Sequence, residues 1–406
     1  MRRHSTPLAL ALAVSVAALL AACGDDVGTT GSGGGEGGSG GAAQGGAGGG
    51  TGGGEGGTAP TGLPPKESLT PGAWNELATG GETLCSRGTP YAFWVRPGTT
   101  NRVVLDFIGG GACWNALTCS VAGSLFSEDV EGVRQAVEAN QPEGIYDHDR
   151  ADNPLGDAWH VIVPYCTGDI HWGDSVTTYG EGADAVTIHH KGAVNSRAVL
   201  AWVFENFAAP EQVFVTGCSA GSYGSLLWSA HVMEHYPTTR VVQFGDSGAG
   251  IITQDFFQNS FPSWNAEPAF PAWIPALDPA SIDLASKQLS DLYVGVSNHY
   301  PAQTMSQYNT VRDETQVFFF KAMGGADEAA WTAAMQASID DIESRASRFA
   351  SFTAPGDQHC ILPYDNFYTV EADGVRLVDW IASMIADPDV PMSVACQGAE
   401  CDQPTP

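Results

Sequence analysis

Basic side chains are scarce in this chain of 406 residues: 17 Lys and Arg stand against 46 Asp and Glu, a formal net charge of −29 at pH 7. Nucleic-acid binding needs a basic footprint, so that class of partner is excluded. A polyanionic substrate would also be repelled at long range unless the site were locally basic. Strong metal-ligand spacing is lacking as well. His171 with Asp169 and Asp174, or His189 beside His190, show neither helical His spacing nor Cys/His pairing. Loop hydrogen bonding is expected of these residues, with no metal and no cofactor. No second linker follows the N-terminal one, which argues for one large α/β domain rather than two.

What is present begins with a targeting segment. Arg2 and Arg3 precede the apolar run Leu8 to Leu20, which is too short for a typical membrane span and ends in Leu20-Ala21-Ala22-Cys23. That ending resembles a bacterial lipobox, which implies removal of residues 1–22 as a signal peptide and lipid on the Cys23 thiol. An ordinary secretory signal is the alternative; either way the protein leaves the cytoplasm. Residues 23–65 are glycine-rich and lack the apolar side chains needed to repay ordering entropy, so they read as a tether. The lipid would then anchor the chain to a membrane, at the cell surface or in the periplasm. Residues 66–406 have globular composition and should form the folded domain, expected to be a monomer.

The chain holds nine cysteines, and the eight beyond Cys23 are an even number in an oxidising compartment, so disulfides are expected. Eight cysteines allow 105 pairings. Only Cys113 with Cys119 and Cys396 with Cys401 are close enough in sequence to suggest small loops.

Gln212 to Thr216 is β-branched and aromatic, Gly217-Cys218-Ser219-Ala220-Gly221 follows, and Leu226, Leu227, Ala230, Val232 and Met233 then suit a helix. Strand, sharp turn and helix are the setting of a G-x-S-x-G nucleophile elbow. The pentapeptide alone is weak, since Gly37 to Gly41 repeats it inside the glycine tract. Context singles out Ser219. Earlier, the strand-like Arg102 to Ile108 delivers Gly109-Gly110-Gly111-Ala112-Cys113-Trp114. Such a loop supplies backbone N–H groups to an oxyanion, with the residue after the nucleophile, here Ala220, as the second donor.

Trp159 to Tyr165 is a further strand, and the loop after it, with Trp172, reads as the rim of a site. Asn195 is a plausible N-cap for a helix over Ser196 to Phe207. Ser247, in Gly-Asp-Ser-Gly, is a rival nucleophile, but the protease type with that motif needs two β-barrels, and this chain alternates strands with helices. Phe256 to Pro279 is rich in Phe, Trp and Pro, and reads either as a lid-like insertion over the site or as a packed surface loop.

A triad in the order Ser, acid, His requires a late histidine. His231 and His235 lie on the elbow helix, leading away from the serine, whereas His359 follows the strand-like Arg348 to Thr353. For the acid, Asp313 follows the strand-like Thr304 to Thr310, with Asp246 and Asp357 as alternatives.

Taken in order, GGGACW (109–114), NPL (153–155), PYCTGD (164–169), HHKG (189–192), GCSAG (217–221), the Asp313 segment with Gln316 and Phe318, and His359-Cys360 resemble the pectin acetylesterase/Notum family, most of all its bacterial branch. The resemblance runs from about Gly81 to Tyr368. It implies an α/β-hydrolase fold, with a mostly parallel central sheet flanked by helices, and metal-independent hydrolysis of carboxylic esters. By the same resemblance Ser219 is the nucleophile, Asp313 the acid and His359 the base, with oxyanion donors at Gly111, Ala112 and Ala220. Trp114 and Trp172 would line the substrate site. Two departures, Ala112-Cys113-Trp114 and Gly221-Ser222, bear on substrate and disulfides more than on the triad. The substrate expected is an acylated carbohydrate, in particular an O-acetylated polysaccharide, or another ester; acetyl groups on neutral polysaccharides and lipid-like acyl esters both stay open, with a short acyl chain preferred. A binding protein on a hydrolase fold and a serine peptidase are the rival readings.

Overall fold

The computed structural model describes residues 62–121, 125–283 and 286–405. The expected signal peptide of residues 1–22, Cys23 and all but the end of the expected linker 23–65 therefore lie outside the described residues.

In chain order the elements are β1 (Asn75–Ala78), β2 (Ala92–Arg96), β3 (Arg102–Phe107), α1 (Ala116–Ser120), α2 (Glu131–Ala139) and β4 (Trp159–Val163). A hairpin of β5 (Ser175–Tyr179) and β6 (Val186–His190) leads to α3 (Gly192–Asn206), β7 (Gln212–Cys218), α4 (Ala220–His235) and β8 (Arg240–Asp246). Then come α5 (Gln254–Asn259), α6 (Leu289–His299), β9 (Thr304–Thr310), α7 (Glu314–Ala322), α8 (Glu328–Arg345) and β10 (Phe349–Ala354). A two-residue ribbon, β11 (Glu371–Ala372) with β12 (Val375–Arg376), precedes α9 (Leu377–Ala386) and β13 (Val394–Ala395).

Nine strands form one sheet in the order β1-β2-β4-β3-β7-β8-β9-β10-β13. From β4 to β13 every pairing is parallel, while β1 and β2 add an antiparallel edge. Continuous apolar runs follow from this placement, because a parallel strand covered on both faces has no solvent side. In β3, Val103, Leu105 and Phe107 pack with α3, α4 and α6, whereas Val104 packs with α9 on the opposite face. The elbow helix α4 is apolar on nearly every side and buries 12 residues. A helix of that kind belongs inside a core. The α/β-hydrolase fold expected from the sequence is the fold observed.

Asn195 departs from its expected role. It sits inside α3, which starts at Gly192, and its side chain accepts from Leu84 N–H and donates to Leu84 O. A buried amide satisfied by a distant backbone has no need of a helix end. Phe256 to Pro279 folds into α5 and short 3-10 turns, with Phe256 and Trp264 buried; it is a packed wall rather than a free lid.

All eight cysteines after Cys23 are paired: Cys85–Cys166, Cys113–Cys119, Cys218–Cys360 and Cys396–Cys401. The two short loops are as expected. Four disulfides place the folded unit in an oxidising, extracytoplasmic compartment.

Candidate active site

Ser219 stands between β7 and α4 with φ +57° and ψ −122°, a conformation that L-residues rarely adopt. Its N–H donates to Asp246 O at 2.8 Å, which fixes the turn to the end of β8. A Cβ on Gly221 would lie 1.7 Å from Phe107 O, so only glycine lets α4 start this close to β3. The glycine loop after β3 approaches from the same side: a Cβ on Gly109 would come within 2.9 Å of Ser219 Cβ. Ala220 is the first residue of α4, where N–H groups have no partner within the helix. Gly111, Ala112 and Ala220 all line the cleft that holds Ser219. The three residues expected as oxyanion donors thus lie in one cleft with Ser219.

Asp313 is fully buried and caps α7, accepting Gln316 N–H on Oδ1 at 2.9 Å. Gln316 Nε2 donates to Oδ2 at 3.0 Å and to Asn309 Oδ1, while Gln316 Oε1 accepts Ala249 N–H. His359 Nδ1 is 2.9 Å from both carboxylate oxygens. An ionised carboxylate only accepts, so Nδ1 carries the proton and Nε2 is left as the basic atom. That Nε2 has no hydrogen-bond partner within the protein. Burial opposes a charge on the ring, but the Asp313 carboxylate outweighs it, by charge and by hydrogen bond, and holds the imidazole above its usual pKa.

The alternative acids serve elsewhere. Asp246 Oδ2 accepts the N–H groups of Ile361 and Leu362 at 2.8 and 2.9 Å, and burial pushes its pKa up to about 6. Asp357 is exposed and gives its carbonyl to Glu314 N–H. Ser247 has φ +53°, and its Oγ accepts Cys360 N–H, so it supports the loop that carries His359.

Of the residues set aside as metal ligands, His171, Asp169, Asp174 and His190 are bound up locally, while the buried Nδ1 of His189 has no hydrogen-bond partner among the described residues. His171 donates from Nε2 to Ile108 O, and burial pushes its pKa down to about 4. Asp169 accepts from Thr167 and Gly192, Asp174 pairs with Lys191, and His190 bonds Tyr179 and Thr167.

Trp114 lines the cleft with Phe256, Trp264, Phe319 and Trp331. Trp172 does not. It is 1% exposed, donates to Tyr223 O and packs against Phe261 and Phe270. A loop after a strand looked like a rim, but this indole is sealed under the 256–279 wall. Sequence reading missed Phe319, Met323 and Trp331 as cleft residues, because they come from helices α7 and α8 and the segment between them. Gln316 had a readable signal: Asp313-x-x-Gln316 has the spacing of a capping box.

Comparison with known proteins places this geometry. Residues 76–267 match the sequence profile of the family described as Pectinacetylesterase. No curated protein matches the sequence. Among solved structures, the Wnt deacylase Notum from Drosophila is similar at a TM-score of 0.59 and 15% identity, covering 79% of this chain and 95% of that one. At that identity the likeness carries the fold. With the family profile over residues 76–267 it agrees with the motif order read from the sequence, and the chain is similar to the pectin acetylesterase/Notum family.

Proposed function

We infer that this protein is a serine carboxylic-ester hydrolase in which Ser219 attacks, His359 moves the proton and Asp313 orients and charges the imidazole. The observation that carries the reading is the contact of His359 Nδ1 with both Asp313 oxygens, in a cleft shared with the strained Ser219. In the first step His359 Nε2 takes the Ser219 proton as Oγ attacks the ester carbonyl. The oxyanion is received by N–H groups at Gly111, Ala112 and Ala220, each donor contributing about 3 kcal/mol. The alcohol leaves with the proton, and water activated by the same imidazole releases the acid.

The substrate is an acyl ester of an extracytoplasmic carbohydrate or comparable alcohol. Among the described residues, none of those lining the cleft is Lys, Arg, Asp or Glu. That weighs against a uronate polyanion close to the reacting carbon and agrees with the acidic chain as a whole. The cleft encloses ≈ 610 Å³ counted out to its open mouth. Its aromatic wall favours an acyl group with several methylenes over the short chain expected from sequence. Cleavage before Cys23 and lipid on its thiol complete the proposal; Cys23→Ser should release the protein from membranes, and retention would refute the anchor.

The deciding experiment is fluorophosphonate labelling of the purified protein with mapping of the modified peptide. A single adduct on Ser219, lost in His359→Ala, is expected. An adduct on Ser247, or none on folded protein, would overturn the reading.

A further inference from the structure

Cys218 is the residue before the nucleophile and Cys360 the residue after the base, and the two are joined. The sheet order sets the distance that this bond spans. His359 leaves from β10, three positions from β7 in the order β7-β8-β9-β10. At about 4.8 Å per strand the base must reach back roughly 14 Å to meet Ser219. Its loop is held on the way by single hydrogen bonds at β8: Cys360 N–H to Ser247 Oγ, then Ile361 and Leu362 N–H to Asp246 Oδ2. Among the described residues, only the disulfide ties the loop to β7 itself. Cys360 has φ +65°, a left-handed turn that directs the chain from the histidine back across the strand ends. Cys218 is half-buried, whereas Cys85, Cys166, Cys113 and Cys119 are fully enclosed.

Resting on the triad reading above, we propose that the Cys218–Cys360 bond is the positioning element that holds His359 over Ser219, so that turnover requires the oxidised pair. Asp313 orients the ring at Nδ1 but sits on β9's end and α7, and it fixes no distance to β7. Opening the bond leaves the imidazole paired with Asp313 while its loop moves relative to the serine. A misplacement of about 1 Å between reacting groups costs about 100-fold in rate, and it falls on kcat because substrate binds the cleft wall, not the disulfide.

The test compares Cys218→Ala/Cys360→Ala with a Cys396→Ala/Cys401→Ala control, whose bond lies away from the cleft, using a p-nitrophenyl ester. Expected is a kcat about 100-fold lower with KM within about threefold, slower fluorophosphonate labelling of Ser219, and a near-UV circular dichroism spectrum like wild type. The control should keep wild-type kcat. A kcat within about threefold of wild type in the folded double variant would overturn the proposal. Should that variant not fold, the native protein is treated with a trialkylphosphine. The phosphine gives two electrons and takes oxygen from water as its oxide, and the protons end on the two thiols. Opened pairs are mapped by differential alkylation. Activity falling in step with alkylation at Cys218 and Cys360, and returning on re-oxidation, supports the clamp; full activity with that pair open refutes it. Active Ser219→Ala would instead sink the triad reading, whatever the cysteines do.

Discussion

The Nδ1 atom of His359 lies 2.9 Å from each oxygen of Asp313, and the same carboxylate takes Gln316 N–H and Gln316 Nε2. One buried acid therefore caps α7 and orients the His359 imidazole at once. The pairing fixes the tautomer, leaves Nε2 toward the cleft and raises the pKa of the ring, and each consequence is measurable.

Replacing Ser219 by Ala removes the nucleophile and relaxes nothing in the core. Ester hydrolysis should fall by at least about 10⁴-fold with the thermal transition within a few degrees of wild type. Steady-state assays and calorimetry on the same preparation check both halves.

The pH profile of kcat/KM should show an acid limb above the ordinary histidine value of 6.5, because His359 must be neutral to act as base. Asp313→Asn removes the group that raises the pKa, so the limb should move to lower pH while the maximum rate falls. For stability the sign is opposite. A raised folded pKa means that the protonated ring stabilises the fold fully below about 6.5, and this contribution is lost as pH rises through the folded value. Thermal melts across that window should lose this slope in His359→Gln.

Gln316 binds both the carboxylate of Asp313 and the N–H of Ala249. Hydrogen bonds to charged groups are worth about 1.5–3 kcal/mol, so Gln316→Leu should lower kcat/KM by about 10- to 100-fold. Gln316→Glu can keep the Ala249 contact but sets a second carboxylate beside the first. It should raise the acid limb further, as seen in a pH–rate series.

Acyl length reads the cleft wall. Each buried methylene contributes about 0.8 kcal/mol, or roughly fourfold, while it remains in contact with Trp114, Phe256 and Phe319. Relative kcat/KM should therefore climb from acetyl to butanoyl p-nitrophenyl esters. A flat or falling series would contradict an apolar acyl site.

Local pattern settled much of this protein. Strand–turn–helix around Ser219 and the glycine loop at 109–111 depend on residues close in sequence, whose backbone needs are written in the chain itself. Composition likewise carried the expectation of disulfides. Tertiary structure decided what depends on distant segments meeting. Asn195 reads as a cap until Leu84 is seen beside it, and Trp172 reads as rim until the 256–279 wall covers it. The choice of Asp313 over Asp246, the pairing of Cys218 with Cys360, and the share of Trp331 in the cleft all required strand order across the sheet. Side-chain contacts of that range are set by how β7 to β10 lie next to one another, and no local preference encodes that arrangement.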